Sequence, residues 1–448
     1  MRLIVTLAWL LALLPARSAE PAASSIHSFW FWNRVGNVQP SSIAEMQRLG
    51  IDRLYLHFQE LGPRGTWVNL NSSLPRKTTF PNLHAVIRIA PDPKWIDDPN
   101  GLAIIPALPG YEYLGAEEAR PALQIDFDCP ASRLADYAAA ITRLRETRKF
   151  PSISITALAS WIDAPDFPKL AAAADELVPM FYDLEADAPD AVRRADFEPM
   201  ISPDTLRWIA KWKNCPKPWR AGLPNFQRLT TFAEDGSLVG HHPRFRPEFL
   251  FDHPLLELRE PGDATTSIFD VSGDGTVSLQ KVSAGQVLVW RRPDDTLLRS
   301  AVTLAMENGA QGIVWFAHPS SAPTAWHRVP HLCQFLPGNA ALAKPLFEVH
   351  TDSTGILVLR NTGSTDLTPR ADGKPWELVL EGDPGSFDRA DPGSFHSLEA
   401  IGSSTHRLEL ARGVRLRFVQ LPAGSRLASG MKLLRTNTPP PWSIHPAP

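Results

Sequence analysis

The run Gln124–Asp128 holds the residues of this sequence best suited to acid–base chemistry. Apolar residues precede Asp126 and Asp128, which are separated by one residue. If the run is a β-strand, alternate side chains share a side, so both carboxyl groups face one surface. Two carboxylates this close repel each other, which favours one protonated and one ionised group. We therefore predict Asp128 as a general acid tuned by Asp126; the alternative is that the pair caps the helix that begins near Pro130.

Further candidate ligand-binding residues lie at the ends of other apolar runs. Tyr182 and Asp183 follow one such run and could orient a bound polar group, although the same pair is also common turn chemistry. Trp315 lies in a later run and could stack beneath a sugar ring, whereas a lone Trp is more often part of the core. Gln124 and Asn225 complete the predicted substrate-binding set.

Eight short apolar runs must position these side chains. They lack polar/apolar alternation, as expected of parallel strands that are covered on both faces, and helical patterns separate several of them. This predicts an α/β fold, a (β/α)8 TIM-type barrel over residues 20–344, with its site at the strand C-termini. A doubly wound open sheet is the alternative. The predicted strands are Ile26–Trp32, Arg53–Phe58, Ala85–Ile89, Leu123–Asp128, Ser152–Leu158, Leu177–Tyr182, Arg220–Pro224 and Gly312–Ala317.

Changes in composition along the chain predict four further segments besides the barrel strands. Residues 1–19 combine an early Arg, the apolar run Leu3–Leu14 and an Ala-rich end, which predicts a cleaved signal peptide and a periplasmic or extracellular protein. Residues 227–284, rich in Pro, His and Arg, form an insertion expected at the binding face. Strand patterns over residues 345–436 predict a small all-β, sandwich-like C-terminal domain. The Pro-rich residues 437–448 predict a frayed tail.

Charge and composition favour a neutral ligand. The formal net charge is −3 and basic runs are lacking, which argues against nucleic acid or an anionic membrane as a partner. After the predicted signal peptide, no stretch approaches the ~20 apolar residues of a membrane span. The 14 Trp residues suit a carbohydrate ligand. With three widely spaced cysteines the fold does not depend on disulfides, and Cys129 is expected to be a buried thiol. We predict a monomer without cofactor.

Two motifs suggest a metal site, and their spacing argues against both. Asp270–Gly275 copies the first half of a calcium loop, but the twelfth position is Lys281 rather than Glu, so a hairpin turn at residues 274 and 275 is favoured. His241, His242 and His253 fit no common metal-ligand spacing. We therefore predict no metal.

The strand ends described above resemble those of the chitinase-like glycoside hydrolases. The fourth strand of that family typically reads Asp-Trp-Glu-aromatic-Pro, and Asp126–Pro130 matches it with Asp128 in place of the Glu. The sixth reads Met-x-Tyr-Asp, which Met180–Asp183 matches fully, and Gly312–Trp315 is one residue short of the eighth, Gly-apolar-x-x-Trp. This resemblance covers roughly Ile26–Ser320. The whole sequence also resembles an uncharacterised family of secreted bacterial proteins known as a domain of unknown function.

The resemblance implies a glycoside hydrolase that acts on a polysaccharide or an N-acetylhexosamine-containing glycan. It implies substrate-assisted retention, in which the sugar's N-acetyl oxygen attacks while Asp126, Tyr182 and Asp183 position it, so no second carboxylate is needed. Two earlier acidic positions of the motif are Pro121 and Gln124 here, and the acid is one methylene shorter; a displacement of an ångström can cost ~10²-fold in rate. A non-catalytic carbohydrate-binding protein on a degenerate barrel is the alternative, and a structural envelope protein is the third.

Overall fold

Eight parallel strands close into a barrel in the computed structural model. The last strand, Ile313–Phe316, pairs with both Ala221–Pro224 and the first strand, His27–Phe31. The first strand also pairs with the second, Arg53–Leu61, so the sheet has no open gap. This closure confirms the predicted TIM-type barrel and excludes the open sheet. The strands are β1 His27–Phe31, β2 Arg53–Leu61, β3 Asn82–Ile89, β4 Ala122–Phe127, β5 Ile153–Leu158, β6 Glu176–Met180, β7 Ala221–Pro224 and β8 Ile313–Phe316.

The described part of the chain comprises residues 25–32, 38–62, 65–69, 80, 82–90, 105, 121–251, 253–260, 265–339, 341–370, 372–383, 385–388, 391–402, 410–434 and 439–447. The predicted signal peptide lies outside these residues. None of the helices within them is long and apolar enough to cross a membrane.

Helices surround the barrel, and local sequence signals explain where several begin. Helix α2 turns its buried residues Leu134, Ile141 and Leu144 toward the strands at helical spacing. Helix α5 begins with a capping box, and Asp294 is the N-cap of α6, where its side chain accepts the Leu297 N–H at 2.8 Å. The α-helices are α1 Pro40–Arg48, α2 Leu134–Thr147, α3 Phe167–Ala173, α4 Pro189–Arg193, α5 Pro203–Lys211, α6 Asp295–Glu307 and α7 Val329–Leu332; short 3-10 helices cover Ala131–Arg133, Ala159–Asp163, Trp212–Asn214 and Pro247–Phe249.

Alternation along the strands separates an outer core from a smaller inner one. Ile313 and Trp315 of β8 pack in the outer core between strands and helices, whereas Val314 and Phe316 belong to the inner cluster with Trp30. Both faces are apolar because helices cover the outside and side chains fill the inside of a barrel of this size.

A buried ionic network closes the N-terminal end of the barrel. Glu176, at the start of β6, accepts from Arg53 at 3.1 Å, from the Tyr55 hydroxyl at 2.8 Å and from Arg220 at 3.2 Å. Arg53 also lies 3.1 Å from His84 Nε2, and burial lowers the pKa of His84 to about 3, which keeps that ring neutral. The network joins strands β2, β3, β6 and β7 at the end opposite the predicted site.

The insertion between β7 and β8 forms a separate five-stranded antiparallel sheet that continues to residue 291. Arg228 and Arg291 lie opposite each other in two neighbouring strands of this sheet. Arg228 binds Asp183, and Arg291 binds Asp187 at 2.6 Å, so this arginine pair holds the loop that follows β6. The strands, in sheet order, are Leu238–His241, Arg228–Phe232, Val287–Arg291, Thr266–Val271 and Leu256–Glu260.

The hairpin turn in this insertion lies four residues beyond the predicted position. Gly275–Val277 pairs with Gln280–Val282, so the turn consists of Ser278 and Leu279, both with positive φ. The predicted turn at residues 274 and 275 is therefore wrong. The reason is that Asp274 is held by the Ala284 N–H at 3.0 Å, which directs residue 275 into the strand.

The C-terminal region is all-β, as predicted, and consists of two antiparallel sheets that share one apolar core. The final strand, Trp442–Pro446, pairs with residues 376–380, so the expectation of a frayed tail is wrong there. Its one proline, Pro446, is tolerated because this strand lies at the edge of its sheet. One sheet contains Phe347–Thr351, Ile356–Asn361 and Arg426–Lys432; the other contains Ser397–Ile401, Gly413–Phe418, Trp376–Glu381 and Trp442–Pro446.

Candidate active site

A cavity of about 530 Å³ opens at the C-terminal ends of the barrel strands. Asp126, Asp128, Tyr182 and Asp183 all contribute to its lining, as predicted from their positions at the ends of β4 and β6. The location is the usual one for active sites in barrels of this kind. We call this cavity the barrel pocket.

Asp126 is buried in the wall of the barrel pocket and tightly held. Its Oδ2 accepts from Arg88 Nη1 at 3.0 Å, and its Oδ1 accepts from the Thr156 hydroxyl at 2.7 Å. Arg88 and Thr156 lie on β3 and β5, the two strands that flank β4. Asp126 is thus fixed in orientation and unsuited to move a proton over any distance.

Asp128 follows β4 and is more open to the cavity, with 36% of its side chain exposed. Its contact with Arg88 is longer, 3.8 Å. Burial and the negative charge of Asp126 raise the pKa of Asp128, and the positive charge of Arg88 only partly opposes them. Asp128 therefore stays protonated to a higher pH than an ordinary Asp, as a general acid requires.

Tyr182 and Asp183 form the side of the barrel pocket at the end of β6. Burial, followed by the negative charges of nearby Asp side chains, raises the pKa of Tyr182 well above its ordinary value, so its hydroxyl remains a neutral donor. Asp183 has a positive φ of 50° and is held by both guanidinium nitrogens of Arg228, one at 2.8 Å. This paired contact fixes the Asp183 carboxylate against the insertion.

Aromatic rings provide stacking surfaces around the carboxyl groups. Trp32 and Trp208 are half-buried and line the cavity. The Trp32 ring lies parallel to the His57 ring, with centroids 4.0 Å apart, and Lys211 Nζ lies 4.2 Å from the Trp208 ring. Such surfaces suit the apolar faces of sugar rings.

The prediction that Trp315 stacks beneath a ligand is wrong. Its side chain is fully buried outside the barrel wall, where Nε1 donates to His27 Nδ1 at 3.1 Å and the ring contacts Phe335. The alternation of β8 turns Phe316 inward instead, and Phe316 lines the barrel pocket with its ring parallel to that of Tyr182. Phe316, and not Trp315, is therefore the aromatic residue of β8 that faces the barrel pocket.

Gln124 and Asn225 are both buried, and neither is among the residues that line the barrel pocket. Gln124 Oε1 accepts from Trp30 Nε1 at 2.6 Å in the barrel interior. The Asn225 amide donates to the carbonyls of Ala317 and His327 at 2.9 and 3.1 Å. Both residues therefore support the strand ends, and the predicted direct contact with substrate does not fit their positions.

Sequence reasoning missed the arginines that hold the acidic residues. Arg88 interrupts the otherwise apolar run Ala85–Ile89, which is a usable signal for a buried charge with a partner. Arg228 begins the insertion, and no local pattern links it to Asp183, 45 residues earlier. Cys129, in contrast, is a buried free thiol as expected, and burial raises its pKa to about 12.

Among the described residues, one group has donor atoms close enough to hold a metal ion: Asp295, His327 and His331, outside the barrel pocket. The two imidazole rings are stacked, with centroids 3.9 Å apart and planes at 6°. The lone pairs of the ring nitrogens therefore lie in two nearly parallel planes and do not converge on one ion. This geometry fits a hydrogen-bonded cluster better than a metal centre.

Comparison with known proteins connects the central barrel strands to a family. Residues 104–238 match a family described as a domain of unknown function, DUF3142. The matched segment is about a third of the chain and includes the ends of β4 and β6, which carry the acidic residues. A comparison with curated proteins gives no match.

Several solved structures resemble the chain in fold. One is a chitinase from Chromobacterium violaceum ATCC 12472, with 14% identity and a TM-score of 0.43 over 66% of this chain and 94% of that one. The spore cortex-lytic enzyme SleL from Bacillus megaterium QM B1551 has 13% identity and a TM-score of 0.42 over 66% and 70%. A family GH18 chitinase from Chromobacterium violaceum has 12% identity and a TM-score of 0.41 over 94% and 90%. The likeness is one of fold alone.

Removing the positive charge of Arg88 should raise the pKa of Asp128 further. Burial and the charge of Asp126 raise the pKa of Asp128, and the Arg88 charge lowers it. Arg88→Gln removes the lowering effect, so the Asp128 carboxyl should release its proton at a higher pH than in the wild type. Carboxyl carbon shifts of ¹³C-labelled Asp, followed by NMR against pH, measure this without any substrate. The Asp128→Asn spectrum identifies the resonance; a titration that moves to lower pH in Arg88→Gln contradicts the assignment of Arg88.

Proposed function

We propose that this protein is an exported, monomeric glycoside hydrolase that acts on a polysaccharide or an N-acetylhexosamine-containing glycan, with Asp128 as its general acid. The observation that carries the proposal is the single pocket in which Asp126, Asp128, Tyr182 and Asp183 meet beside aromatic rings. Of the three aspartates, Asp126 and Asp183 are engaged by short contacts to arginine, whereas Asp128 is the freer one.

The proposed reaction uses the substrate's own N-acetyl group as nucleophile. Asp128 gives its proton to the glycosidic oxygen, the bond from that oxygen to the anomeric carbon breaks, and the N-acetyl oxygen bonds to that carbon. Tyr182 donates a hydrogen bond to the N-acetyl oxygen, and Asp126 holds the nitrogen end. Water then attacks the anomeric carbon, the bond from that carbon to the N-acetyl oxygen breaks and the N-acetyl group is restored. The attacking water gives a proton back to Asp128, and the product keeps the configuration of the substrate.

The alternative is a carbohydrate-binding protein without turnover. The feature that favours it is the short side chain of Asp128, one methylene shorter than Glu and 3.8 Å from Arg88, which limits its reach into the cavity. Both hypotheses predict a sugar on the aromatic rings of the barrel pocket.

A panel of β-linked glycans, including chitin oligosaccharides and peptidoglycan fragments, separates the two. Release of reducing ends by the purified protein supports the hydrolase. Glycan-array binding without release supports the binding protein, and absence of both rejects the two together. Sequencing of the secreted protein's N-terminus, expected just after residue 19, tests export.

Phe316→Ala should weaken glycan binding by about two- to tenfold, if a sugar stacked on the ring contributes about as much as a second aromatic ring would, about 0.5–1.5 kcal/mol. Calorimetric titration with the best-bound oligosaccharide measures the loss. The matched control is Trp315→Phe, one residue earlier but on the outer face of β8, which should leave the affinity unchanged. Equal losses in both variants would show that the effect comes from strand distortion and not from stacking.

A further inference from the structure

A buried cluster of two histidines and two aspartates joins the barrel to the C-terminal domain. His327 Nε2 lies 2.7 Å from Asp295, the first residue of α6, and His327 Nδ1 lies 3.2 Å from Asp366, which follows strand Ile356–Asn361. Each ring nitrogen therefore faces a carboxylate. Burial alone lowers the pKa of His327, but the charges and hydrogen bonds of Asp295 and Asp366 outweigh it and raise this pKa to about 9.

His331 completes the cluster as a neutral ring. Its Nδ1 accepts the Asp366 N–H at 3.0 Å, which leaves the hydrogen on Nε2, 3.3 Å from Asp295. Burial and the positive charge of His327 lower the pKa of His331. The two carboxylates and the His327 imidazolium thus bridge α6, α7 and the C-terminal domain.

The backbone of His327 is bound to the ends of two barrel strands. Asn225, directly after β7, accepts the His327 N–H at 2.8 Å and donates to the His327 carbonyl at 3.1 Å. The same amide donates to Ala317, directly after β8, at 2.9 Å. Asn225 therefore couples His327 to the rim of the barrel.

The residue after Asn225 packs against two side chains that line the barrel pocket. The Phe226 ring meets those of Tyr182 and Phe316 edge-on, at centroid distances of 5.7 and 5.8 Å. The Arg228 guanidinium lies 5.1 Å from the Phe226 ring and binds Asp183. A continuous set of contacts thus leads from Asp366 to the candidate active site.

We infer that His327 is a positioning residue, through which docking of the C-terminal domain holds Asn225 and Phe226, and thereby the pocket wall formed by Tyr182 and Phe316. The functional meaning of this wall rests on the proposed function. The coupling itself is a property of the folded chain and is measurable without a substrate.

The coupling has a defined pH dependence. The pKa of His327 is higher in the folded protein than its ordinary value of 6.5, so the stabilisation is fully present below about pH 6.5 and is lost as pH rises through about 9. The groups that face His327 are Asp295 on α6, His331 on α7 and Asp366 on the C-terminal domain, with Arg328 next along the chain.

Hydrogen exchange of the full chain, followed by mass spectrometry at pH 7, tests the inference. His327→Gln should accelerate exchange of peptides that cover residues 225–227 by about tenfold, the effect of losing one buried, charge-assisted hydrogen bond. The matched control is Glu399→Gln, which removes an exposed ion pair with Arg415 on the C-terminal domain and should leave these peptides unchanged. Unchanged exchange at residues 225–227 in His327→Gln overturns the inference.

Asp366→Asn keeps the shape of the side chain and provides the same test if His327→Gln does not fold. It should loosen residues 225–227 as well as the C-terminal segment 421–423, whose Ala423 N–H binds Asp366. Faster exchange at 421–423 alone means that the coupling ends at the domain boundary, which contradicts the inference. Slower exchange on addition of zinc would instead assign the cluster to a metal. If wild-type protein binds no glycan, the proposed function falls while this exchange result stands.

Discussion

Under the proposed hydrolase function, Asp128→Asn is expected to lower kcat/KM on a glycan substrate by about 10²–10⁴-fold, the usual contribution of a general acid. An Asn side chain has nearly the same shape but has no acidic proton for the leaving oxygen. The fold should be unaffected, because Asp128 is partly exposed and its contact with Arg88 is long. Reducing-end assays measure the rate, and thermal unfolding followed by circular dichroism checks the fold.

Two further measurements make this result specific to acid catalysis. An aryl glycoside with a good leaving group needs little protonation, so Asp128→Asn should cleave it at a rate much closer to that of the wild type. Asp128→Glu restores the longer acid of the resembling family and should retain activity. The matched control, Asp196→Asn, changes an exposed Asp outside the pocket and should have no effect. Equal losses on activated and natural substrates would reject Asp128 as the acid.

Glu176→Ala should reduce the free energy of unfolding by about 3–5 kcal/mol, the usual result of removing one partner from a buried ionic network. The substitution leaves the guanidinium groups of Arg53 and Arg220, with the Tyr55 hydroxyl, facing one another at the closed end of the barrel. Equilibrium unfolding in urea measures the loss. The expected effect is on stability alone, since the network lies at the opposite end of the strands from the pocket.

The matched control for Glu176→Ala is Asp163→Ala, which removes an ion pair with Lys211 at the surface. About half of each of those side chains is exposed, at 53% and 47%, and such pairs contribute about 1 kcal/mol or less. Similar losses in both variants would mean that water reaches the Glu176 network and screens it.

Barrel strands and the acidic residues were predictable because they depend on local patterns. Strands buried on both faces appear as short apolar runs, and an Asp in such a run must point to a polar surface, as Asp126 does. Because β8 is apolar throughout, its sequence does not indicate which of its side chains face the inside of the barrel. Trp315 was therefore assigned to the pocket in place of Phe316. With apolar residues on both faces, the run contains no signal that separates inside from outside.

Contacts between residues far apart in the chain could not be predicted from the sequence. Arg88 and Arg228 bind their aspartates across 38 and 45 residues, and nothing near either arginine specifies its partner. The final strand was missed because the prolines before and within it suggest a tail. Only the sheet edge beside residues 376–380 makes a strand there possible.

The arginine pair Arg228 and Arg291 has a consequence for any attempt to shorten this protein. Excising the insertion as a dispensable module would remove both side chains, and with them the anchors of Asp183 and Asp187. A minimal barrel that keeps every barrel strand would therefore still lose one side of its pocket. The smallest fragment that preserves the site therefore contains both the barrel and the sheet inserted in it.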